Sequence, residues 1–467
     1  MLVVKTGSFL FAPKIICDIN YMTNSAAKYQ ITVNSSQFPQ GESIPSIFSP
    51  VGHQLEAASK NSVVDRFFRN KFIALFQKLE GGYIHLIDPV GTTSVGNSDA
   101  KLQCTLVIHD LSSYTQVALS GSNGSAEAYL NGLWSADDLS KLIRIFVKNR
   151  LVLNQMESGL ARFAQSSFRL WNKLRRNTRR GSKKNIATHY DLGNPFFRLF
   201  LDQRMMYSSA LYEAGDDLDQ ASCRKLHRIC AALELKKQDH LIEIGSGWGG
   251  FACFAASTVG CKVTTVTISQ EQFNETQQRI VREGLSDLVT VKLQDYRDVE
   301  GLYDKLVSIE MIEAVGHQYL DTYFRKLNSL LKPDGKALIQ AIVIDDDQYH
   351  RALKQVDYIK KYIFPGGFMP CYSVIIDYAS RNRLMLEDVH DMGLSYAQTL
   401  RDWRKRFYEN IEQVEEQGYD SSFQRMWEFY FCYCEGAFDE RAISVGQILF
   451  RKQASINSPL VIHDVGR

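Results

Sequence analysis

Beyond residue 185, short apolar runs alternate with longer stretches in which apolar side chains recur every three or four positions. Short apolar runs are typical of strands buried on both faces, and the longer period is typical of helices that cover a sheet. The strands that this pattern predicts are 240–244, 262–267, 289–294, 305–310 and 336–343. The predicted helices are 223–233, 250–259, 270–283 and 319–330. The alternation predicts an α/β fold with a mostly parallel sheet and helices on both faces.

The first part of the chain has a different pattern. Residues 1–61 are rich in Ser, Asn, Gln and Pro with few periodic apolar positions, which predicts a loosely ordered tail, with Met22 as an alternative start. Residues 62–165 mix helical and strand-like periods and predict a small α+β domain. Its helical stretches are 63–78 and 136–149, and its strand-like stretches include 82–87 and 102–108. Because 467 residues exceed the usual size of one core, we expect a second domain over 189–467.

The segment 166–188 between these two regions carries the strongest charge asymmetry in the chain. The whole sequence has 54 Lys and Arg against 52 Asp and Glu, so its net charge indicates no polyanionic partner. A surface helix on anionic lipid headgroups, at ~1 kcal/mol per basic residue, and a solvated linker are both open interpretations. Nucleic-acid binding is disfavoured because no recognised motif accompanies the charges. The basic residues are Arg169, Lys173, Arg175, Arg176, Arg179, Arg180, Lys183 and Lys184.

The cysteines and the hydropathy restrict the cellular setting. The nine cysteines show neither CxxC pairs nor the dense spacing of a secreted disulfide scaffold, which favours a reducing, cytoplasmic environment. Cys432 and Cys434 have no nearby His, so we expect packed cysteines and no metal site. No run approaches the roughly 20 apolar residues that span a bilayer, so neither a transmembrane helix nor a cleaved signal is predicted.

The run LIEIGSGWGG at 241–250 is the strongest candidate for ligand binding. It ends a predicted strand, places Glu243 before three alternating glycines, and opens a predicted helix. Glycines let backbone approach a ligand closely, and the spacing E-x-G-x-G-x-G is typical of S-adenosylmethionine binding, with the acid near the ammonium group. NAD binding expects an acid at the end of the second strand, and the run 263–269 has none. A tight turn without a ligand is the remaining alternative. The loop residues concerned are Gly245, Ser246, Gly247, Trp248 and Gly249.

The run TISQEQ at 267–272, after this loop, resembles the cyclopropane fatty acid synthase and mycolic acid cyclopropane synthase family. Further motifs of that family follow in order over roughly 62–452, and one of them is similar to the longer members that carry an extra N-terminal domain. They are EAYLNGLW at 127–134, HYDLGN at 189–194, MYSSA at 206–210, QDYRD at 294–298, SIEMIEAVG at 308–316 and KYIFPGG at 361–367.

This resemblance implies a Rossmann-like class I methyltransferase domain that encloses S-adenosylmethionine and admits a lipid through an apolar channel. The resemblance implies an enzyme that transfers a methyl carbon to the cis double bond of an unsaturated phospholipid acyl chain and closes a cyclopropane ring. By matching motif positions, the cofactor would be held, in addition to the glycine loop, by Tyr207, Ser208, Thr267, Ile268, Gln272, Asp295, Tyr296 and Ile309.

The resemblance also implies a reaction centre in which a bound bicarbonate ion takes the proton from the transferred methyl group. Glu313 and Tyr396 would line it with Ile342 beside them, whereas without the resemblance Glu313 would be a helix N-terminal acid and Tyr396 a packed aromatic. Better-known members have cysteine at Ser209 and histidine at Gln340 in the anion pocket. Serine and glutamine can still donate hydrogen bonds to the anion, so we expect the enzyme to be active. These two replacements leave the product open, because proton loss at a different carbon would give a methylene or methyl-branched chain instead of a ring.

The expected partners follow from that reaction. They are unsaturated phospholipid acyl chains and an anionic membrane surface on the cytoplasmic side, with peripheral attachment. The N-terminal region would serve membrane docking or formation of a homodimer. A catalytically silent lipid-binding relative is the alternative from another class, and the intact glycine loop and Glu313 count against it. A methyltransferase for a small soluble molecule is disfavoured by the basic segment and the size of the N-terminal region.

Overall fold

The computed structural model describes residues 62–150 and 192–453. The predicted tail at 1–61, the basic segment 166–188 and the first part of the motif HYDLGN lie outside these residues. The boundary between the two expected domains therefore stays a prediction.

The N-terminal region forms a four-stranded sheet of order β2-β1-β3-β4, in which β1 runs parallel to β3 and antiparallel to β2. The predicted helix at 136–149 starts later than the pattern indicates, because Ala136 ends a strand and the Asp138 side chain caps the helix by accepting from the Lys141 backbone N–H. The elements are α1 (Val63–Phe76), β1 (Tyr83–Asp88), β2 (Gly91–Gly96), β3 (Gln103–Ile108), α2 (Ser112–Leu130), β4 (Trp134–Ala136) and α3 (Leu139–Lys148).

The larger region contains, within the described residues, a seven-stranded sheet of order β10-β11-β9-β8-β5-β6-β7. The five strands from β9 to β7 are mutually parallel, and β11 runs antiparallel to both of its neighbours. The predicted α/β fold with a mostly parallel sheet is confirmed. The strands are β5 (His240–Ile244), β6 (Lys262–Thr267), β7 (Val289–Leu293), β8 (Tyr303–Ile309), β9 (Leu331–Ile344), β10 (Leu384–Asp391) and β11 (Ile443–Lys452).

Helices cover this sheet, and the first long one begins with a capping box in which Asp217 and Gln220 each accept a hydrogen bond from the other's backbone N–H. Among the helices described, none combines the length and apolarity that crossing a bilayer requires. They are α4 (Asn194–Arg198), α5 (Leu218–Ala232), α6 (Gly250–Val259), α7 (Gln270–Arg282), α8 (Leu320–Leu330), α9 (Asp346–Lys354), α10 (Tyr372–Arg381), α11 (Gly393–Glu409), α12 (Ile411–Glu416) and α13 (Ser421–Asp439), with a π-helical turn at Ile359–Ile363.

The N-terminal sheet and the helices α11 and α13 share one hydrophobic core. Gly436 of α13 permits the close approach of α3, because a Cβ atom there would lie 2.7 Å from Cγ2 of Ile143. Polar contacts cross the same boundary, including Tyr129 Oη donating to Glu428 Oε2 at 2.5 Å and Arg404 Nη1 donating to Ser140 Oγ at 3.0 Å. The N-terminal region is therefore packed against the helices that cover one side of the seven-stranded sheet.

Candidate active site

The glycine loop between β5 and α6 leaves room for a ligand. Gly245, Gly247 and Gly249 have φ angles of 96°, 49° and 80°, in the region that favours glycine. A Cβ atom at Gly249 would lie 2.8 Å from Thr276 Cγ2, and one at Gly245 would lie 3.2 Å from Met311 Cγ. A Cβ atom at Gly247 would meet no atom within 4 Å, so this glycine borders open space. The loop therefore fits a ligand that lies against its backbone.

That open space is part of a cavity of about 730 Å³ at the carboxyl ends of β5, β6, β7 and β8, where ligands bind in open α/β sheets. The cavity extends past the reaction centre into the N-terminal region, where Phe72, Phe76 and Phe146 belong to its wall. Of the predicted site residues, those that line it are Tyr207, Ser208, Glu243, Gly245, Ser246, Gly247, Trp248, Thr267, Ile268, Gln272, Asp295, Tyr296, Ile309, Glu313, Ile342 and Tyr396.

Three predicted residues lie behind the wall. Gly249 is at the start of α6, while Ser209 and Gln340 are completely buried. Their contacts, described below, support residues that do line the cavity.

The cofactor end of the cavity is polar and closely packed. Glu243 is buried and accepts a hydrogen bond from Thr265 Oγ1 at 2.6 Å, and burial raises the pKa of its carboxyl to about 8. A bound ammonium group would favour the ionised form of this acid. At the end of β6, Thr267 Oγ1 donates to Gln272 Oε1 at 2.8 Å, so a hydroxyl and an amide occupy the place where NAD-binding folds have an acid.

The other side of the cofactor end is formed after β7 and β8. Asp295 accepts from Arg297 Nε at 2.8 Å, and the Tyr296 ring lies edge-on to Tyr323 at 5.7 Å between centroids. Trp248 Nε1 donates to Asn194 Oδ1 at 2.7 Å, which connects the glycine loop to the last residue of the HYDLGN motif. The residues thus provide both the space and the polar groups that S-adenosylmethionine would need.

Glu310 is a residue of the candidate site that the sequence analysis did not single out. It follows β8 with a φ of 48°, an uncommon conformation for a residue with a side chain. Its Oε1 accepts from the Ser209 backbone N–H at 2.9 Å and from Gln340 Nε2 at 2.8 Å, and its Oε2 accepts from Tyr396 Oη at 2.9 Å. Three residues predicted for the bicarbonate pocket therefore hold a protein carboxylate.

Glu313 lies one short 3₁₀ turn further along and has fewer partners. Its Oε1 accepts from the Ile342 backbone N–H at 2.6 Å, whereas its Oε2 is buried and has no hydrogen-bond partner among the described residues. Burial, with a smaller contribution from the negative charge of Glu310, raises the pKa of the Glu313 carboxyl to about 8. Glu313 is therefore mainly neutral at pH 7 and can donate a proton.

A buried lysine lies close to Glu310. Lys225 of α5 is completely buried and donates from Nζ to Ser208 Oγ at 2.6 Å. Burial lowers the pKa of Lys225 to about 8, and the carboxylates of Glu310 and Asp202 oppose that shift. The lysine in turn favours the ionised form of Glu310, whose pKa is raised by burial. No sequence motif identifies Lys225, because α5 is otherwise an ordinary amphipathic helix.

A chain of side chains connects the Glu310 carboxylate to the molecular surface. Arg228 Nη1 donates to Gln447 Oε1 at 2.5 Å, and Gln447 Nε2 donates to Gln340 Oε1 at 3.0 Å. Gln340 and Gln447 are direct partners across β9 and β11. Because the guanidinium group only donates, it fixes the orientation of both amides, and the Gln340 nitrogen faces Glu310.

Aromatic side chains enclose the reaction centre. Tyr396 stacks on Phe438 at 4.5 Å between centroids, and the Tyr207 ring lies 5.2 Å from that of Trp403. Tyr207 Oη donates to Tyr430 Oη at 3.2 Å. These rings exclude water from the space beside Glu310. In residues 62–150 and 192–453, no group of three or more His, Cys, Asp or Glu side chains is arranged to hold a metal ion.

Comparisons with known proteins identify the family of the chain. A profile of the family described as mycolic acid cyclopropane synthetase matches residues 177–448. The tuberculostearic acid methyltransferase UfaA1 of Mycobacterium tuberculosis (strain ATCC 25618 / H37Rv) is 33% identical over 365 residues, 76% of this chain and 84% of the relative. The cyclopropane-fatty-acyl-phospholipid synthase of Escherichia coli (strain K12) is 36% identical over 347 residues, 73% of this chain and 85% of the relative.

A solved structure has a similar fold. The mycolic acid cyclopropane synthase CmaA1, complexed with SAH and CTAB, matches with a TM-score of 0.54 and 28% identity over 58% of this chain and 98% of that chain. The chain therefore belongs to the mycolic acid cyclopropane synthetase family and is an S-adenosylmethionine-dependent methyltransferase.

Proposed function

We propose that this enzyme transfers the methyl carbon of S-adenosylmethionine to the cis double bond of an unsaturated acyl chain in a membrane phospholipid and closes a cyclopropane ring. The observation that supports this proposal best is the continuous cavity from the glycine loop, past Glu310 and Tyr396, to the phenylalanines of the N-terminal region. An apolar cavity of about 730 Å³ suits a hydrocarbon chain whose double bond lies beside the cofactor.

The residues of the site would orient the two reactants, exclude water and provide charged groups near the reacting carbons. S-adenosylmethionine supplies an electrophilic methyl group, and an isolated alkene is a weak nucleophile, so holding both in contact contributes about 7 to 11 kcal/mol. The rings of Tyr207, Tyr396 and Tyr430 line the cavity, where they would keep water from the cationic chain and face it with π electrons, at about 0.5 to 2 kcal/mol for each favourable contact. Glu313 is placed to hold a proton near the reacting carbons. Bicarbonate in this pocket stays a prediction.

A methyl-branched product is the second candidate. One of the relatives is named a tuberculostearic acid methyltransferase, and another a cyclopropane-fatty-acyl-phospholipid synthase. Both are more than 30% identical to this chain, so the names favour neither product over the other.

Mass spectrometry of phospholipid acyl chains, from a host lacking such enzymes and expressing this protein, tests the proposal. Gain of one CH₂ unit without a double bond that can be hydrogenated is the expected result. A gain with a retained double bond would assign the branched-chain reaction. No gain with well-expressed protein, together with no binding of S-adenosylmethionine, would favour a silent lipid-binding protein.

Attachment to an anionic membrane surface and formation of a homodimer belong to the same proposal. Membrane attachment is supported by the sequence of the segment 166–188, whose basic residues would attract anionic lipid headgroups. Co-sedimentation with vesicles tests it: binding to anionic vesicles at low salt and release at high salt is expected, and equal binding to neutral vesicles would contradict an electrostatic attachment. Sedimentation velocity gives the oligomeric state.

A further inference from the structure

We propose that the Glu310 carboxylate is the base that removes the proton from the transferred methyl group, in the place that the family resemblance assigns to bicarbonate. This inference rests on the proposed function and specifies which group of the chain acts in it. It predicts an enzyme whose turnover does not depend on bicarbonate.

The hydrogen-bond donors of the pocket are already directed at groups of the protein. Gln340 Nε2 and the Ser209 backbone N–H both donate to Glu310 Oε1, and Tyr396 Oη donates to Oε2. The Ser209 hydroxyl donates to the Ala210 carbonyl at 2.9 Å, and the Ile342 N–H donates to Glu313. Each donor that the resemblance offers to an external anion is thus directed at a group of the protein.

The backbone holds the carboxylate in this position. The Glu310 N–H donates to the Gln340 carbonyl at 2.8 Å, and its φ of 48° lies in a region that costs a residue with a side chain about 1 to 2 kcal/mol. Such conformations persist where the surroundings enforce them, and they cluster at functional sites. Glu310 is also part of the cavity wall, between Ile309 of the cofactor end and Tyr396. The carboxylate is therefore placed where a reacting carbon can reach it.

The charges around the two acids suit this division of roles. Burial raises the pKa of Glu310, and its three hydrogen-bond donors and the nearby Lys225 cation oppose that shift by favouring the ionised form. Glu313 has one donor and an oxygen without a partner, and it is mainly neutral. Two carboxyl groups whose surroundings differ in this way are the usual arrangement for a base beside an acid.

The chemical step balances without a further reactant. The alkene electrons form a carbon–carbon bond to the methyl carbon while the carbon–sulfur bond breaks, which leaves S-adenosylhomocysteine and a carbocation on the lipid chain. Glu310 Oε2 then accepts a proton from that methyl carbon. The electron pair of the broken C–H bond forms the second carbon–carbon bond and closes the ring, and the proton later passes to solvent.

The test uses the full-length enzyme, S-adenosylmethionine and phospholipid vesicles with cis-unsaturated chains, in buffer freed of carbon dioxide. Added bicarbonate, matched against chloride for pH and ionic strength, is expected to leave the wild-type rate unchanged. Glu310→Gln keeps the size and most contacts of the side chain, and it is expected to lower kcat about 100-fold or more while S-adenosylmethionine binding stays within about threefold. Bicarbonate does not restore this variant, because the amide fills the pocket.

Glu310→Gly is the matched variant, since glycine adopts a φ of 48° freely and leaves the three donors exposed to an anion. Its rate is expected to rise and saturate with bicarbonate, and its melting temperature to increase with bicarbonate while that of the wild type does not. Stimulation of the wild type by bicarbonate, or a Glu310→Gln rate within threefold of the wild type, would overturn the proposal. The melting experiment needs no turnover, so it still tests which group occupies the pocket if no phospholipid is modified and the proposed function fails.

Discussion

Two glutamates three residues apart show how much the surroundings of a side chain determine its chemistry. Glu310 and Glu313 both line the same cavity, and burial raises the pKa of each carboxyl. Glu310 accepts three hydrogen bonds from other residues, and Glu313 accepts one. At neutral pH the first is therefore better suited to the charged form and the second to the neutral form.

The neutral state of Glu313 predicts a pH dependence of stability. Its pKa rises from 4.5 to about 8 on folding, so between these values the folded state retains a proton that the unfolded state has lost. The free energy of unfolding therefore falls as pH rises through this window, by at most about 5 kcal/mol from this group. Glu313→Gln imitates the neutral form and is expected to flatten this slope. Urea denaturation of the cofactor-free protein between pH 5 and pH 8 measures the slope, and an unchanged slope would show that Glu313 is already ionised.

The sequence analysis identified the motif SIEMIEAVG, but of its two glutamates it placed only Glu313 at the reaction centre. An acid at a strand end inside an apolar run has no feature that distinguishes it from its neighbour. The partners of Glu310 are 30 residues away at Gln340 and 86 residues away at Tyr396. Its role is visible only after β8, β9 and α11 have been brought together.

At the scale of helices and strands, periodicity predicted the elements that carry the cofactor. The predicted strands match β5 to β9, and the four predicted helices match α5 to α8 within a few residues. The pattern did not reveal α2, whose sequence SSYTQVALSGSNGSAEAYL is rich in serine and glycine and bends at Gly121, with a φ of 60°. Residues with low helix propensity formed a helix there because packing against neighbouring elements overrode local preference.

The contact between α3 and α13 predicts a pair of coupled substitutions. Gly436→Ala adds a methyl group that would lie 2.7 Å from Ile143 Cγ2, and we expect a loss of about 1 to 3 kcal/mol in the free energy of unfolding. Ile143→Ala removes the obstructing atoms and lowers stability by itself through a cavity. The double variant is expected to be more stable than the sum of the two losses implies, as a denaturation-based double-mutant cycle would measure. Additive losses would mean that the helices separate without repacking.

At the scale of the whole molecule, the N-terminal sheet shares one hydrophobic core with α11 and α13 of the larger region. The sequence predicted two domains from a change in pattern, and such a change carries no information about the contact between them. In the structure, α11 and α13 pack against the N-terminal sheet, and the cavity passes from one region into the other. We therefore expect the N-terminal region to influence which acyl chains the enzyme accepts.

Phe146→Ala tests this expectation. The Phe146 ring lies 5.7 Å from that of Phe76 in the N-terminal wall of the cavity, and its removal lengthens the apolar space. Preference among phospholipids is expected to move to longer acyl chains, by about fourfold in kcat/KM for each additional methylene that becomes buried. Phe67→Ala makes the same change at a side chain on α1 that is 55% exposed and outside the cavity wall, and it should leave the preference unchanged. Equal effects of the two substitutions would mean that the acyl chain does not reach Phe146.

In the series from Arg228 through Gln447 and Gln340 to Glu310, every hydrogen bond is donated in the same direction, and one bond cannot be reversed without reversing the next. An amide group has one donor end and one acceptor end, so each glutamine transmits the direction set by its neighbour. If a surface acceptor replaced the guanidinium group, both amides would be driven to rotate, and an oxygen would face the Glu310 carboxylate. Arg228 of α5 thus determines which amide atom faces Glu310, and reversing the charge at this position would place a repulsive oxygen beside the carboxylate, although the substituted residue lies outside the cavity wall.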